Sequence, residues 1–275
     1  MTLDELRTEV ERQKAVLEIE NIMSRHAYYY SAQEHLRELA EIWDLDAPDV
    51  SFGQDEGYSV GKDSIIASYI KYHHTFQAKD LAAFSKTHPQ VANTEENLSA
   101  GTHMFHTNST PVIEIAKDGK TAKGLWYSIG QVTMTPGGKQ DAQYMWERYG
   151  VDFIKVNGKW KIWHLLIHTD ISTDPGGSWV EGSQKAPGGG QPAGGGQPGD
   201  QQAGGGAPMG ALQPGESSDK PKPDVANNRD KRQGPQTFTP PEEYPLVPMA
   251  YETFTDTFSY GAPGKSPDAT LATIK

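Results

Sequence analysis

The chain has 275 residues, with 25 Lys and Arg against 36 Asp and Glu, a formal charge of −11, and no cysteine. An acidic chain without a basic stripe argues against nucleic acid as a partner, and the lack of cysteine excludes disulfides, cysteine–zinc sites and a thiol nucleophile. No apolar run approaches the length needed to cross a bilayer, and the stretch from Met1 to Leu6 lacks an apolar signal core, so we expect a cytoplasmic protein with no membrane partner.

Thr2 and Glu5 have the spacing of a capping box. Val16, Ile19, Met23, Ala27 and Tyr30 then recur at three- and four-residue steps, which predicts a helix over residues 2–31. A second helix runs from about His35 to Asp44, with Leu36, Leu39, Ala40 and Trp43 on its buried face, and Pro48 ends that region. Val50, Phe52 and Tyr58 predict a short hairpin around Gly53 to Gly57. A third helix follows Gly61 and carries Ile65, Ile66, Tyr69, Ile70 and His73. From about Asn97 aromatic and β-branched residues predict strands over 98–107, 111–117, 121–135, 140–157 and 159–171. The breaks are Ser109-Thr110-Pro111, Asp118-Gly119, Pro136-Gly137-Gly138 and Asn157-Gly158, the last two being hairpin signals. Helices first and an antiparallel meander after them predict an α+β fold, with the helices packed on one face of the sheet.

Composition divides the chain further. Residues 1–180 hold 17 of the 25 basic and 25 of the 36 acidic residues and read as one domain. From about Gly182 to Pro214 run Gly-Gly-Gly-Gln-Pro repeats, and residues 215–236 are polar and charged. Such sequence buries too little to offset its ordering entropy, so 181–236 is expected to be a disordered linker. Residues 237–275 are apolar again, with Phe238, Tyr244, Leu246, Tyr251, Phe254, Phe258 and Tyr260. They form an aromatic tail that docks on its own domain, on a second subunit or on another protein, or else stays weakly structured.

His106 lies in a strand among apolar neighbours, where a histidine serves as a general base near neutral pH. The competing reading is a buried histidine hydrogen-bonded for structure. Strand alternation places Trp126 with Ser128, Tyr144 with Trp146 and Arg148, and Trp160, Ile162, His164, Leu166, His168 and Asp170 in a further row. Aromatic rows suit a flat ligand and equally suit a core. His168 and Asp170 form a pair at the sheet's end. His73, His74, His88, His103, His106, His164 and His168 show no metal-ligand spacing, so no metal is expected, and phosphate-loop, dinucleotide and nucleophile-elbow motifs are absent.

Several short motifs occur together. They are the helix ending His26-Ala27-Tyr28-Tyr29-Tyr30, the Leu36…Leu39-Ala40…Trp43 helix, and Gly61-Lys62-Asp63-Ser64-Ile65. They continue with His106…Ile113-Glu114, Arg148-Tyr149-Gly150-Val151-Asp152-Phe153, and Gly158-Lys159-Trp160-Lys161-Ile162. Together they resemble the SnoaL-like branch of the nuclear transport factor 2-like superfamily over about residues 8–172. The resemblance implies a cone-shaped fold, a curved antiparallel sheet closed by N-terminal helices around a deep apolar pocket. It also implies proton-transfer chemistry without a cofactor, as in that family's dehydratases, isomerases, cyclases and formaldehyde-releasing lyases.

By its eight-residue spacing to Glu114, the resemblance assigns His106 as the base. Arg148 becomes a pocket cation for a carboxylate, phenolate or enolate, the alternative being a salt bridge to Glu147 or Asp152. Tyr30 is the inward tyrosine and Tyr28 the alternative, with Trp43, Phe52, Trp126, Tyr144, Trp146 and His168 contacting the substrate. Two positions depart from the pattern. Ala32 stands where dehydratases carry an aspartate that pairs with the histidine, and Trp126 stands where scytalone dehydratase carries a second histidine. The resemblance then implies a pocket more aromatic and less acidic than in those enzymes. The expected activity is a lyase acting on a bulky cyclic or aromatic alcohol, by dehydration or by formaldehyde release. The alternative is a non-catalytic module for hydrophobic-ligand binding or assembly. Relatives of this kind imply a homo-oligomer, dimer or trimer, through the open sheet face.

Overall fold

A computed structural model describes residues 1–175, 221–227 and 243–274. The capping box closes as its spacing predicts: Glu5 N donates to Thr2 Oγ1 at 3.2 Å and Thr2 N to Glu5 Oε2 at 2.7 Å. It opens helix α1 (Leu3–Ser31). Gln33 then takes a left-handed φ of 59° and turns the chain back into α2 (His35–Ile42). The inward face of α2 is His35, Glu38, Leu39 and Ile42, whereas Leu36 and Ala40, expected inside, are exposed. Both sets satisfy three- and four-residue steps; hydropathy alone selects the one without the polar residues.

The hairpin forms as β1 (Ser51–Gln54) and β2 (Gly57–Val60). After Gly61 comes α3 (Lys62–Ile66), which runs through a π-helical turn, Ala67–Lys71, into α4 (Tyr72–Thr87). The long strands are β3 (His103–Ile115), β4 (Thr121–Met134), β5 (Asp141–Val156) and β6 (Lys159–Thr173). Residues 98–102 form tight turns rather than the start of β3. Ser109 to Pro111 is a bulge inside β3, with Thr110 at φ 49°, and not a break between two strands. Pro111 lacks a donor and is tolerated because β3 lies at the sheet's edge.

The sheet order is β3-β4-β5-β6-β1-β2 with a short β7 (Val225–Ala226) beside β2, antiparallel except for the β6–β1 pair. The result is an α+β fold with a curved sheet and helices on one face. Ile19, Met23, Leu39, Ile42, Trp43, Phe52, Trp126, Tyr149, Val151 and Phe153 fill the space between them. Among the described residues no helix is long and apolar enough to cross a membrane.

Most of the expected linker lies outside the described residues. Within it, residues 221–227 run along the hairpin, where β7 (Val225–Ala226) pairs with β2 and Asp224 Oδ2 accepts from Val60 N at 2.7 Å. Of the tail, residues 237–242 and 275 lie outside the described residues, and 243–274 take one of the destinations left open, on their own domain against the outer face of the sheet. There Lys123 and Asp152 form a fully buried pair at 2.7 Å. Asp152 Oδ2 also accepts from Ser259 Oγ and from Tyr260 N, both at 2.8 Å, and lies 2.8 Å from His164 Nδ1. The rings of Phe254, Phe258, Tyr251 and Tyr260 surround the Lys123 ammonium, with Phe254 nearest at 4.1 Å. Close to the chain's end, α5 (Asp268–Leu271) is tied down where Thr270 donates to Asp49.

Candidate active site

Between the inner face of the sheet and the helices lies a buried cluster of imidazoles, phenols and carboxylates. His106 enters from β3 and is buried. Its Nδ1 is 3.3 Å from Ser128 Oγ on β4 and 3.4 Å from Glu147 Oε2 on β5. Glu147 Oε2 also accepts from Tyr149 OH at 3.0 Å. Gly130 sits opposite His106 in the β3–β4 register, and a Cβ there would lie 2.7 Å from the imidazole. The glycine therefore makes room for the ring. Nδ1 is thus turned toward Ser128 and Glu147, which leaves Nε2 facing the interior. Nε2 is buried and has no hydrogen-bond partner.

The helices supply a second histidine–carboxylate pair. His26 Nδ1 is 2.7 Å from Glu38 Oε1, and both side chains are buried. Trp43 Nε1 donates to the same oxygen at 3.2 Å, and Tyr69 OH donates to Glu38 Oε2 at 2.8 Å. Burial works against this carboxylate's charge, but the charge of and hydrogen bond from His26, the nearby imidazole of His35 and the hydrogen bond from Tyr69 bring its pKa down to about 2. Tyr69 belongs to the π-helical turn, a feature frequent at functional sites.

Tyr30 stands between these groups. Its ring is 5.6 Å from His106, 5.2 Å from His35, 6.2 Å from His26 and 6.4 Å from Tyr69. Burial, then the charges of Glu147 and Glu38, hold its phenol above the ordinary value. Burial acts the same way on Tyr69 and Tyr149, reinforced by Glu38 and Glu147 respectively. All three phenols are therefore protonated donors at neutral pH. Phe52, 5.0 Å from Tyr69, and Trp126 add apolar wall.

The structure thus brings together His106, Tyr30, Trp43, Phe52 and Trp126. It does not bring the others to them. Tyr28 is 77% exposed. Arg148 lies on the opposite face of the sheet and grips Asp170 with two hydrogen bonds, at 2.8 and 2.5 Å. That is a salt bridge, though to a different acid from the two considered. His168 is on the same outer face, 3.7 Å from Asp170 and 5.2 Å from the ring of Tyr244 in the tail. Tyr144 is exposed and Trp146 half-buried on that face. The cause is register: Ser128 pairs with Glu147 and Trp126 with Tyr149, so the odd-numbered residues of β5 face inward.

Sequence reasoning missed His26, His35, Glu38, Tyr69, Glu147 and Tyr149 as site residues. The His26 signal was present, three residues after Met23 and four before Tyr30 on the α1 stripe. The interior is also more acidic than the resemblance implied, with Glu38 and Glu147 both buried. Among the described residues no group of three or more His, Asp or Glu side chains is arranged to hold a metal ion.

The family described as the SnoaL-like domain matches residues 11–165, more than half of the chain. No curated protein matches it. Among solved structures, the chain is similar to the hexachlorocyclohexane dehydrochlorinase LinA-type3 from Novosphingobium barchaimii LL02, with 14% identity over 62% of this chain and 96% of that one and a TM-score of 0.42. It is similar to a proposed scytalone dehydratase from Novosphingobium aromaticivorans DSM 12444, with 15% identity over 60% and 91% of the two chains and a TM-score of 0.40. A further similar structure is an NTF2-like protein with a cystatin-like fold from Novosphingobium aromaticivorans, with 15% identity, 61% and 90% coverage and a TM-score of 0.39.

Proposed function

The chain belongs to the SnoaL-like domain family, and from that premise we propose that it is a cofactor-independent lyase acting on a bulky cyclic or aromatic alcohol. One observation carries the reading: a buried histidine whose Nδ1 is held by Ser128 and Glu147 while Nε2 faces the interior beside Tyr30 without a partner. In this reading His106 Nε2 removes a proton from carbon. Glu147 orients the ring and offsets the imidazolium that forms. Tyr30, kept protonated, donates a hydrogen bond to the oxygen on which charge develops. The aromatic walls of Trp126 and Phe52 favour a flat substrate. The two interior carboxylates support loss of water over release of formaldehyde. Arg148, on the outer face, takes no part.

The test is a panel of hydroxysteroids, phenolic diols and diaryl propanediols incubated with purified protein, products being read by mass spectrometry. Loss of water or of formaldehyde, reduced about 10²–10⁴-fold in His106→Ala, supports the reading. Turnover that survives His106→Ala removes it, and retention of a compound without turnover makes the interior a binding site instead. We also propose that two copies associate through the strip of outer face that the tail leaves open, where Phe105, Tyr127, Ile129 and Tyr144 are exposed.

A further inference from the structure

Two histidines reach the ring of Tyr30 from different elements. His106 comes from β3. His35 opens α2, is buried, and has no hydrogen-bond partner on either ring nitrogen. Its neighbours are rings met edge-on: Tyr69 at 5.1 Å, Tyr30 at 5.2 Å and His73 at 5.6 Å. The nearest charge is Glu38, whose Oε2 lies 4.0 Å from Nδ1, beyond hydrogen-bond reach. Burying a polar ring with both nitrogens unsatisfied is costly, and an apolar residue of similar size would pack there without that cost. The interior thus keeps unpartnered nitrogens on two imidazoles that both pack edge-on against Tyr30, on His35 and at His106 Nε2. Behind His35, His73 on α4 is half-buried and continues the row of rings toward the surface.

We propose that His35 is the second proton-handling residue of the interior site, donating to the departing oxygen of a β-hydroxy aromatic or cyclic substrate whose C–H bond faces His106, with His73 restoring its proton. The assignment rests on the lyase reading above. His106 Nε2 takes the proton from carbon, and the C–H electron pair becomes the new carbon–carbon double bond. The C–O bond breaks with its pair on oxygen. That oxygen receives the proton from the imidazolium of His35, whose charge is offset by Glu38, and leaves as water. His106 then gives its proton to solvent and His35 regains one through His73, so the cycle closes with one water released.

The experiment is NMR of the full chain with 15N-labelled histidine side chains, titrated with 4-nitrophenol, a flat ring bearing one acidic hydroxyl. His35→Gln and His106→Gln assign the signals. We expect the nitrogens of both His35 and His106 to shift on saturation, while His88 and His164, outside the interior, do not. A shift of His106 alone overturns the role of His35 and leaves the lyase reading standing. No shift of either overturns both. With a compound that the panel shows to be turned over, His35→Gln lowers kcat about 10²-fold, leaves KM within a few-fold, and is partly rescued by added imidazole. An unchanged kcat overturns the proposal. If His35→Gln does not fold, His73→Gln serves in its place: a lowered kcat restored by imidazole supports the relay, and an unchanged one overturns it.

Discussion

Glu38→Gln isolates the electrostatic hub of the interior. The substitution keeps the size of the side chain and removes its charge, with His26, Trp43 and Tyr69 all directed at its two oxygens. The folded protein holds this carboxylate at about 2, against an ordinary 4.5. At 1.36 kcal/mol per pH unit the difference is worth about 3 kcal/mol, within reach of the ~3–5 kcal/mol lost on breaking a buried pair. Because the folded pKa is depressed, the contribution is complete above about 4.5 and disappears as pH falls toward 2. At pH 7 the variant should therefore melt about 6–12 °C below the wild type, at about 2–4 °C per kcal/mol for a unit of this size. Its stability should also fall less steeply than the wild type's across that acid window. The slope that remains belongs partly to Asp152, also depressed to about 2: burial opposes its charge, and Lys123 and His164 favour it. Calorimetry or circular dichroism melts from pH 7 to pH 2, with the exposed Glu34→Gln as control, give both quantities. A melting temperature within about 1 °C of wild type, or an unaltered acid limb, would refute the reasoning.

Gly130→Ala places a methyl 2.7 Å from the His106 ring; turnover of any accepted compound should drop at least about tenfold, since displacing a catalytic group by about 1 Å costs up to about 10²-fold, and the melt should fall by the few degrees that about 1–3 kcal/mol of overpacking brings. Arg148→Lys and Asp170→Asn, on the outer face, should leave kcat and KM unchanged in the same assay. Lys123→Met breaks the buried pair with Asp152 and should cost about 3–5 kcal/mol, read as a lower melting temperature and earlier proteolytic release of residues 243–274. Ile129→Glu places a charge in the exposed outer strip, and sedimentation should show a smaller assembly than the wild type; an unchanged mass would remove that strip from any interface.

What the amino-acid sequence discloses of this fold is local. Thr2 and Glu5 announce α1, Gly53 to Gly57 announces the first hairpin, and Asn157-Gly158 announces the turn from β5 to β6. Each is a pattern whose physics closes within a few residues. The π-helical turn carries no comparable signal, since Ala67–Lys71 reads as ordinary helix. The parity of β5 is also hidden. A strand's alternation states which residues share a face and not which face is inside. Met134 pairs with Asp141 across the Pro136-Gly137-Gly138 turn, so even-numbered residues of β4 share a face with odd-numbered residues of β5. Together with His106 opposite Gly130 in the β3–β4 register, that pairing puts Glu147 and Tyr149 with His106 and leaves Arg148 outside, where Asp170 reaches it from the register shift in β6.

The acid absent at position 32 shows the same limit from another side. Ala32 is exposed at the end of α1, so an aspartate there would face solvent rather than the interior. In this chain Ala32 ends α1, and the left-handed turn at Gln33 folds α2 back beside it. That reversal carries Glu38 to the ring of His26, twelve residues earlier, where three donors hold it ionised. On the opposite wall Glu147 faces His106 from the neighbouring strand. Each interior carboxylate is thus set by an element that a linear motif does not include, one by a turn and one by a register. In the proposed mechanism what matters is where the charge stands relative to the imidazole, and each interior carboxylate lies beside one, Glu38 at 2.7 Å from His26 and Glu147 at 3.4 Å from His106.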